Sequence, residues 1–135
     1  MTRIEFEKVV ERALEILPRR IRDALENLAI IIEDHPSAED LEDVGLSRND
    51  YLFGLYRGVP INNRSFFDPG GQLPHQIILF QGELEECCPD KRRLMLEITL
   101  TLVHEVGHYI GLDEDELRQL ESASSIRLER EPPDY

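Results

Sequence analysis

The segment from Leu94 to Gly111 constrains the fold of this 135-residue chain more than any other. Apolar residues recur through it at helical spacing, and His104 and His108 close it on one helix face, four residues apart. Gly111 is suited to the left-handed conformation that ends many helices. We therefore predict a long helix that presents two imidazole rings side by side near its C-terminus.

The two histidines form part of a recognisable metal-binding pattern, His104-Glu105-Val106-Gly107-His108. Neutral imidazole is a good zinc ligand, and a catalytic zinc takes three protein ligands and leaves one position for water. A bound zinc lowers the pKa of that water to about 7, and Glu105 could accept its proton and pass it to a leaving amine. The pattern predicts one zinc ion per chain, with Glu105 as the catalytic base.

The third metal ligand is less firmly fixed by the sequence. Gly111 lets the chain reverse, so Glu114, ten residues after the first histidine, could return to the metal, and we favour it. Asp113, Asp115, a more distant carboxylate such as Glu121, or a water molecule could take its place. An acidic residue at this point also has a purely structural explanation, because the dipole of a following helix stabilises negative charge in its first turn.

Elsewhere, apolar periodicity and turn residues divide the chain into further helices, strands and loops. Predicted helices cover Thr2–Leu17, Arg19–Asn27 and Glu114 to about Glu129, the last opened by a capping box of Asp113 and Glu116. Predicted strands cover Leu28–Ile32, expected to be buried, Leu52–Val59 and His75–Gln81. Predicted loops and connections cover Ser37–Asp50, Ile61–Pro74 and Gly82–Cys88, and the tail from Glu131 to Tyr135 is expected to fray.

Charge and composition exclude several classes of function. The chain has 15 Lys and Arg against 28 Asp and Glu, and its formal charge of -13 disfavours binding to nucleic acid or to anionic membranes. It has no apolar run of membrane-spanning length and no signal-peptide pattern, so we expect a cytoplasmic protein. The adjacent Cys87 and Cys88 are expected to be reduced thiols, because a bridge between neighbours is strained.

The zinc segment and the order of the other motifs also resemble a known family. The run from His104 to Glu114 resembles the extended zinc signature of metzincins, in which a third ligand follows the glycine by three residues. The motif order is similar to that of the small bacterial zincin-like family of minimal metallopeptidases. The segments that carry this similarity are Leu17-Pro18, Ile31–Asp34, Gly54–Pro60, Ile78–Phe80 and the zinc helix.

This resemblance implies a single α+β domain over residues 1–135, with a small mixed sheet packed against the zinc helix and flanking helices. It also implies a zinc-dependent peptidase that acts on peptides or unfolded proteins. Two features depart from true metzincins: an acid replaces the third histidine, and both methionines, Met1 and Met95, precede the site.

The sequence leaves the substrate contacts and one alternative function open. A strand edge beside the metal would hold an extended peptide, and we predict that His75–Gln81 provides it. Tyr56, Tyr109 and His75 are candidates to polarise the substrate carbonyl. The alternative is a catalytically inactive domain of the same fold that serves as an interaction or regulatory module.

Overall fold

A computed structural model describes residues 1–58 and 75–131 of the chain. Its α-helices are α1 (Arg3–Ile16), α2 (Arg19–Ala24), α3 (Ala38–Asp43), α4 (Gln81–Cys87), α5 (Lys91–Tyr109) and α6 (Glu114–Arg130). A short 3₁₀ turn, Leu25–Asn27, follows α2. The strands are β1 (Leu28–Glu33), β2 (Gly54–Arg57) and β3 (His75–Phe80). The α+β class predicted from the sequence is confirmed.

Local capping chemistry sets the ends of the long helices close to their predicted positions. The Thr2 hydroxyl accepts a hydrogen bond from the Glu5 backbone N–H, which begins α1. Asp90 caps α5 in the same way, so Pro89 lies just outside this helix. Gly111 has φ of 81°, the left-handed value expected after the end of a helix.

Two segments that we predicted as loops contain helices. The prediction for Ser37–Asp50 is wrong at α3, where Ser37 and Asp40 form a capping box over a helix only six residues long. The prediction for Gly82–Cys88 is wrong at α4, a helix of seven residues. Both helices are too short for apolar periodicity to distinguish them from turns. The predicted loop Ile61–Pro74 and most of the tail lie outside the described residues.

The described strands form one mixed sheet in the order β1-β3-β2. β3 pairs parallel to β1, with Ile30 opposite Ile77, and antiparallel to β2, with Tyr56 opposite Ile77. β3 is therefore central, and its last four residues are buried. β1, which we expected to be buried, lies at the edge of the sheet and is only partly buried along its length.

The apolar core lies between one face of the sheet and the helices, with α5 at its centre. Leu102, Val103 and Val106 of α5 are fully buried, and Ile77 and Leu79 of β3 meet this core from the sheet. The side chains of Ile78 and Phe80 pack with Leu55 in a separate cluster. No helix among the described residues is long and apolar enough to cross a membrane. The core fixes the position and orientation of the zinc-motif helix.

Gly54 permits the close approach of β2 to α5, and we predict that Gly54→Ala destabilises the protein. An added Cβ would lie 2.7 Å from Thr101 Cγ2 and 2.8 Å from the Ile78 carbonyl oxygen, which belongs to the sheet backbone. We expect the free energy of unfolding to fall by about 1–3 kcal/mol, as measured by urea denaturation. Ile4→Ala, at a side chain that is 66% exposed, is the control. Equal stability of the Gly54 variant would contradict this packing.

Candidate metal centre

The C-terminal turns of α5 carry the two histidines of the motif on one face. The ring centroids of His104 and His108 lie 4.3 Å apart, with an angle of 61° between their planes. Their side chains are 44% and 47% exposed, whereas Val106 between them is fully buried. The helix therefore anchors this segment through one face and presents both imidazoles at the surface.

Gly107 and Leu117 place the next helix, α6, beside these histidines. A Cβ at Gly107 would overlap Leu117 Cδ2, so the missing side chain gives Leu117 its buried position against α5. Glu114 and Glu121 stand three residues before and four residues after Leu117, on the same face of α6. The packing of one leucine thus brings two carboxylates to the histidine pair.

The structure separates the three neighbouring candidates for a third metal ligand. Glu114 Oε1 lies 3.6 Å from His108 Nε2, and its side chain is 74% exposed. Asp113 accepts the Glu116 backbone N–H at 2.8 Å and serves as the N-cap of α6. Asp115 pairs with Arg118 at 2.6 Å. Of the three, Glu114 is the one that faces a motif histidine.

Glu121 contacts the other motif histidine, through a different ring nitrogen. His104 Nδ1 lies 3.1 Å from Glu121 Oε1, and since a carboxylate only accepts, the imidazole N–H donates. The sequence offered Glu121 only as a distant alternative ligand. The helical spacing of Glu114, Leu117 and Glu121 was the signal that could have placed it beside the histidines.

Glu105 occupies a half-buried position on α5, turned toward β2. Burial raises the pKa of its carboxyl group above the ordinary value, while the nearby His104 and His108 and a backbone hydrogen bond from Tyr56 act in the opposite direction. The Tyr56 amide holds the carboxylate between the histidines and the sheet. This contact has no local signal in the sequence, because it depends on how β2 lies against α5.

The chemistry of these donors fits a zinc ion. Two imidazoles and a carboxylate form one of the ligand sets of catalytic zinc, and the three glutamates around the histidines attract a cation. Within residues 1–58 and 75–131, no three histidine, cysteine or acidic side chains lie close enough to hold a metal as they stand. A third ligand would therefore require a side chain to move, and Glu114, which is 74% exposed, has the freedom to rotate. Cys87 and Cys88 are free thiols, as expected.

Comparison with known proteins identifies the family of the chain. A model of the zincin-like metallopeptidase family matches residues 25–123, most of the chain. The chain belongs to this family. Among solved structures, the zincin-like chain is similar to a conserved hypothetical protein from Thermus thermophilus, with 22% sequence identity and a TM-score of 0.54. The similarity covers 87% of this chain and 98% of that protein. No curated protein matches the sequence.

The zincin-like chain also has an aromatic cluster next to Glu105. The ring of Tyr56 stacks on His75, with centroids 5.6 Å apart, and its hydroxyl group is within hydrogen-bonding distance of His75 Nδ1. Tyr109 lies 5.4 Å from Tyr56 and 5.3 Å from His75. The three candidates for carbonyl polarisation are therefore brought together, one helical turn beyond Glu105.

A cavity of about 270 Å³ opens on the other side of Glu105 in this zincin-like fold. Leu52, Phe53 and Gly54 line it from the segment that leads into β2. Leu100, Thr101, His104, Glu105 and Glu121 line it from the helices. The cavity and the aromatic cluster therefore flank Glu105 on opposite sides along the α5 surface.

Proposed function

We propose that this protein is a zinc-dependent metallopeptidase, with zinc held by His104, His108 and Glu114 and with Glu105 as general base. The observation that carries the proposal is the convergence of α5 and α6. It sets Glu114 Oε1 3.6 Å from His108 Nε2, whose ring faces that of His104, and the half-buried Glu105 lies near both histidines. A structural zinc site would instead close four ligands and is usually rich in cysteine.

Glu105 has the environment that a general base requires. A bound zinc would supply a Lewis acid, which makes water a nucleophile at neutral pH and polarises a carbonyl group. The Glu105 carboxylate accepts the proton from the attacking water and donates it to the leaving amine. Its partial burial favours proton uptake, and the Tyr56 amide keeps it oriented.

We expect the substrate to lie along β2, not along β3. The sequence suggested His75–Gln81 as the binding edge, but β3 is paired on both sides and cannot accept another strand. Phe80 N–H donates to the Phe53 carbonyl oxygen, so the alternation of an antiparallel pair points the backbone groups of Gly54 and Tyr56 away from β3. An extended peptide could pair with the backbone groups of Gly54 above α5, while the Tyr56 amide stays bonded to Glu105.

The two features that flank Glu105 would serve the residues on either side of the bond to be cleaved. Tyr109, in the aromatic cluster one turn beyond Glu105, is our candidate to donate a hydrogen bond to the substrate carbonyl oxygen. The cavity on the other side would take one side chain of the peptide. Leu52, Phe53 and Leu100 form the apolar part of its lining and favour an apolar side chain there.

Hydrolysis of a peptide library tests this proposal. We expect zinc-loaded protein to cleave a mixture of unstructured peptides, detected by mass spectrometry of new termini, and we expect chelator-treated protein to leave it intact until zinc is restored. Intact folded proteins should resist, because an extended segment must reach β2. Cleavage that survives complete removal of the metal would overturn the zinc mechanism.

A further inference from the structure

We infer that Glu121 is a positioning residue for His104, which it holds in the one neutral form that can bind metal through Nε2. The inference rests on the proposed zinc site, because the contact with Glu121 gives His104 the orientation that a zinc ligand needs. Glu121 does not itself bind the ion. Its carboxylate acts through the imidazole ring.

The argument begins with the two nitrogens of the His104 ring. A neutral imidazole carries one proton, and the nitrogen without it has the lone pair that a metal requires. Glu121 Oε1 lies 3.1 Å from Nδ1, and a carboxylate can only accept there. This contact keeps the proton on Nδ1 and leaves the lone pair on Nε2.

Glu114 and Glu121 of α6 therefore lie next to different ring nitrogens of the two histidines. Glu114 approaches His108 at Nε2, the nitrogen that we assign to the metal. Glu121 approaches His104 at Nδ1, on the opposite edge of the ring from Nε2. A carboxylate at that edge is placed to orient a ligand and not to share its metal, so the geometry favours Glu114 over Glu121 as the third ligand.

The surroundings of Glu121 keep its position well defined. It lies between the buried residues Leu117 and Ser124 on the inner face of α6, and its side chain is 32% exposed. The Ser124 hydroxyl donates to the Leu120 carbonyl at 2.8 Å, so it does not compete for the carboxylate. The helix packing that positions Glu121 requires no bound metal, so its effect on His104 should be present in metal-free protein.

The first test measures directly which nitrogen of the His104 ring carries the proton. Two-bond ¹⁵N–¹H correlation spectra of metal-free protein, recorded where imidazole is neutral, distinguish a protonated nitrogen from one with a lone pair. We expect His104 to carry its proton on Nδ1 in the wild type and in Glu121→Gln, whose amide oxygen still accepts. In Glu121→Ala we expect a shift toward the Nε2-protonated form. Glu129→Ala, at an exposed position of the same helix, is the control.

The second test separates a positioning residue from a ligand. Loss of an outer partner of a metal-bound histidine typically weakens metal affinity by about 10–100-fold, and we expect Glu121→Ala to fall in this range in zinc competition titrations. Glu121→Gln should recover most of the affinity. With cobalt in place of zinc, the visible spectrum reports the coordination number of the metal. We expect Glu121→Ala to retain the wild-type coordination number and Glu114→Ala to change it.

The outcomes distinguish this inference from the proposed function. An unchanged His104 proton position in Glu121→Ala would overturn the positioning role, whatever the metal data show. A cobalt spectrum that loses a ligand in Glu121→Ala but not in Glu114→Ala would make Glu121 the third ligand instead. If the wild type binds no zinc while Glu121 still controls the proton of His104, the peptidase proposal fails and the positioning contact stands.

Discussion

Glu105→Gln is expected to abolish peptide hydrolysis while leaving zinc bound. The amide preserves the size of the side chain but cannot accept the proton from water, and loss of a general base typically costs about 10²–10⁴-fold in rate. Metal affinity should change little, because Glu105 is not among the proposed ligands. The measurement is kcat/KM on a peptide cleaved by the wild type, with zinc content determined on the same samples.

A second glutamate of the same helix provides the matched control for this variant. Glu97 pairs with Arg93 at 2.6 Å, two helical turns before Glu105, and Glu97→Gln makes the same chemical change. We expect it to retain full activity. Hydrolysis by Glu105→Gln at the wild-type rate, with zinc present and circular dichroism unchanged, would contradict the role of Glu105 and point to another base.

The sequence predicted best those parts of the fold that depend on strong local periodicity. α1, α5 and α6 begin and end within a few residues of their expected limits, because their apolar stripes are long and their caps are explicit. β3 was also recovered, because its run of Ile77, Ile78, Leu79 and Phe80 is continuous and buried. The short α3 and α4 were missed, because six or seven residues complete too few turns for periodicity to show.

The order of the strands in the sheet could not be predicted from local sequence patterns. The run Leu28–Ile32 is as apolar as β3, yet β1 lies at the edge and β3 in the centre. A continuous apolar strand can be buried by helices on its faces without having neighbours on both sides, so composition does not identify an edge. This is why the substrate edge was assigned to the wrong strand.

The sequence predicted the relative positions of the motif residues within one helix, but not how residues of different helices come together. His104, Glu105 and His108 share α5, so their relative positions follow from helical geometry alone. The roles of Glu114 and Glu121 depend on how α6 packs, which is set by the contact of Gly107 with Leu117. Four acidic residues of α6 or its N-cap were candidates. Only the packing shows that Asp113 caps the helix and that Asp115 forms a surface ion pair. Glu114 and Glu121 each contact a histidine.

His108→Ala is expected to remove zinc from the protein altogether. We expect about one zinc per chain in wild-type protein purified without chelator, measured by elemental analysis, since three protein ligands define a catalytic site. Losing one leaves two ligands, and the affinity should fall by more than the roughly 10–100-fold typical of an outer partner. Because the His108 side chain is 47% exposed, its loss should not unfold the chain.

Three further variants make the zinc result specific. His35→Ala removes a histidine that pairs with Glu83 at 2.9 Å, and it should retain zinc. Glu114→Ala should weaken zinc binding strongly, whereas Asp115→Ala should not, since Asp115 pairs with Arg118. Wild-type protein that stays free of zinc even after zinc is added would show that the acidic third position does not complete the site. The fold would then serve as an interaction module, with the exposed histidine pair as part of a surface and not of a catalytic centre.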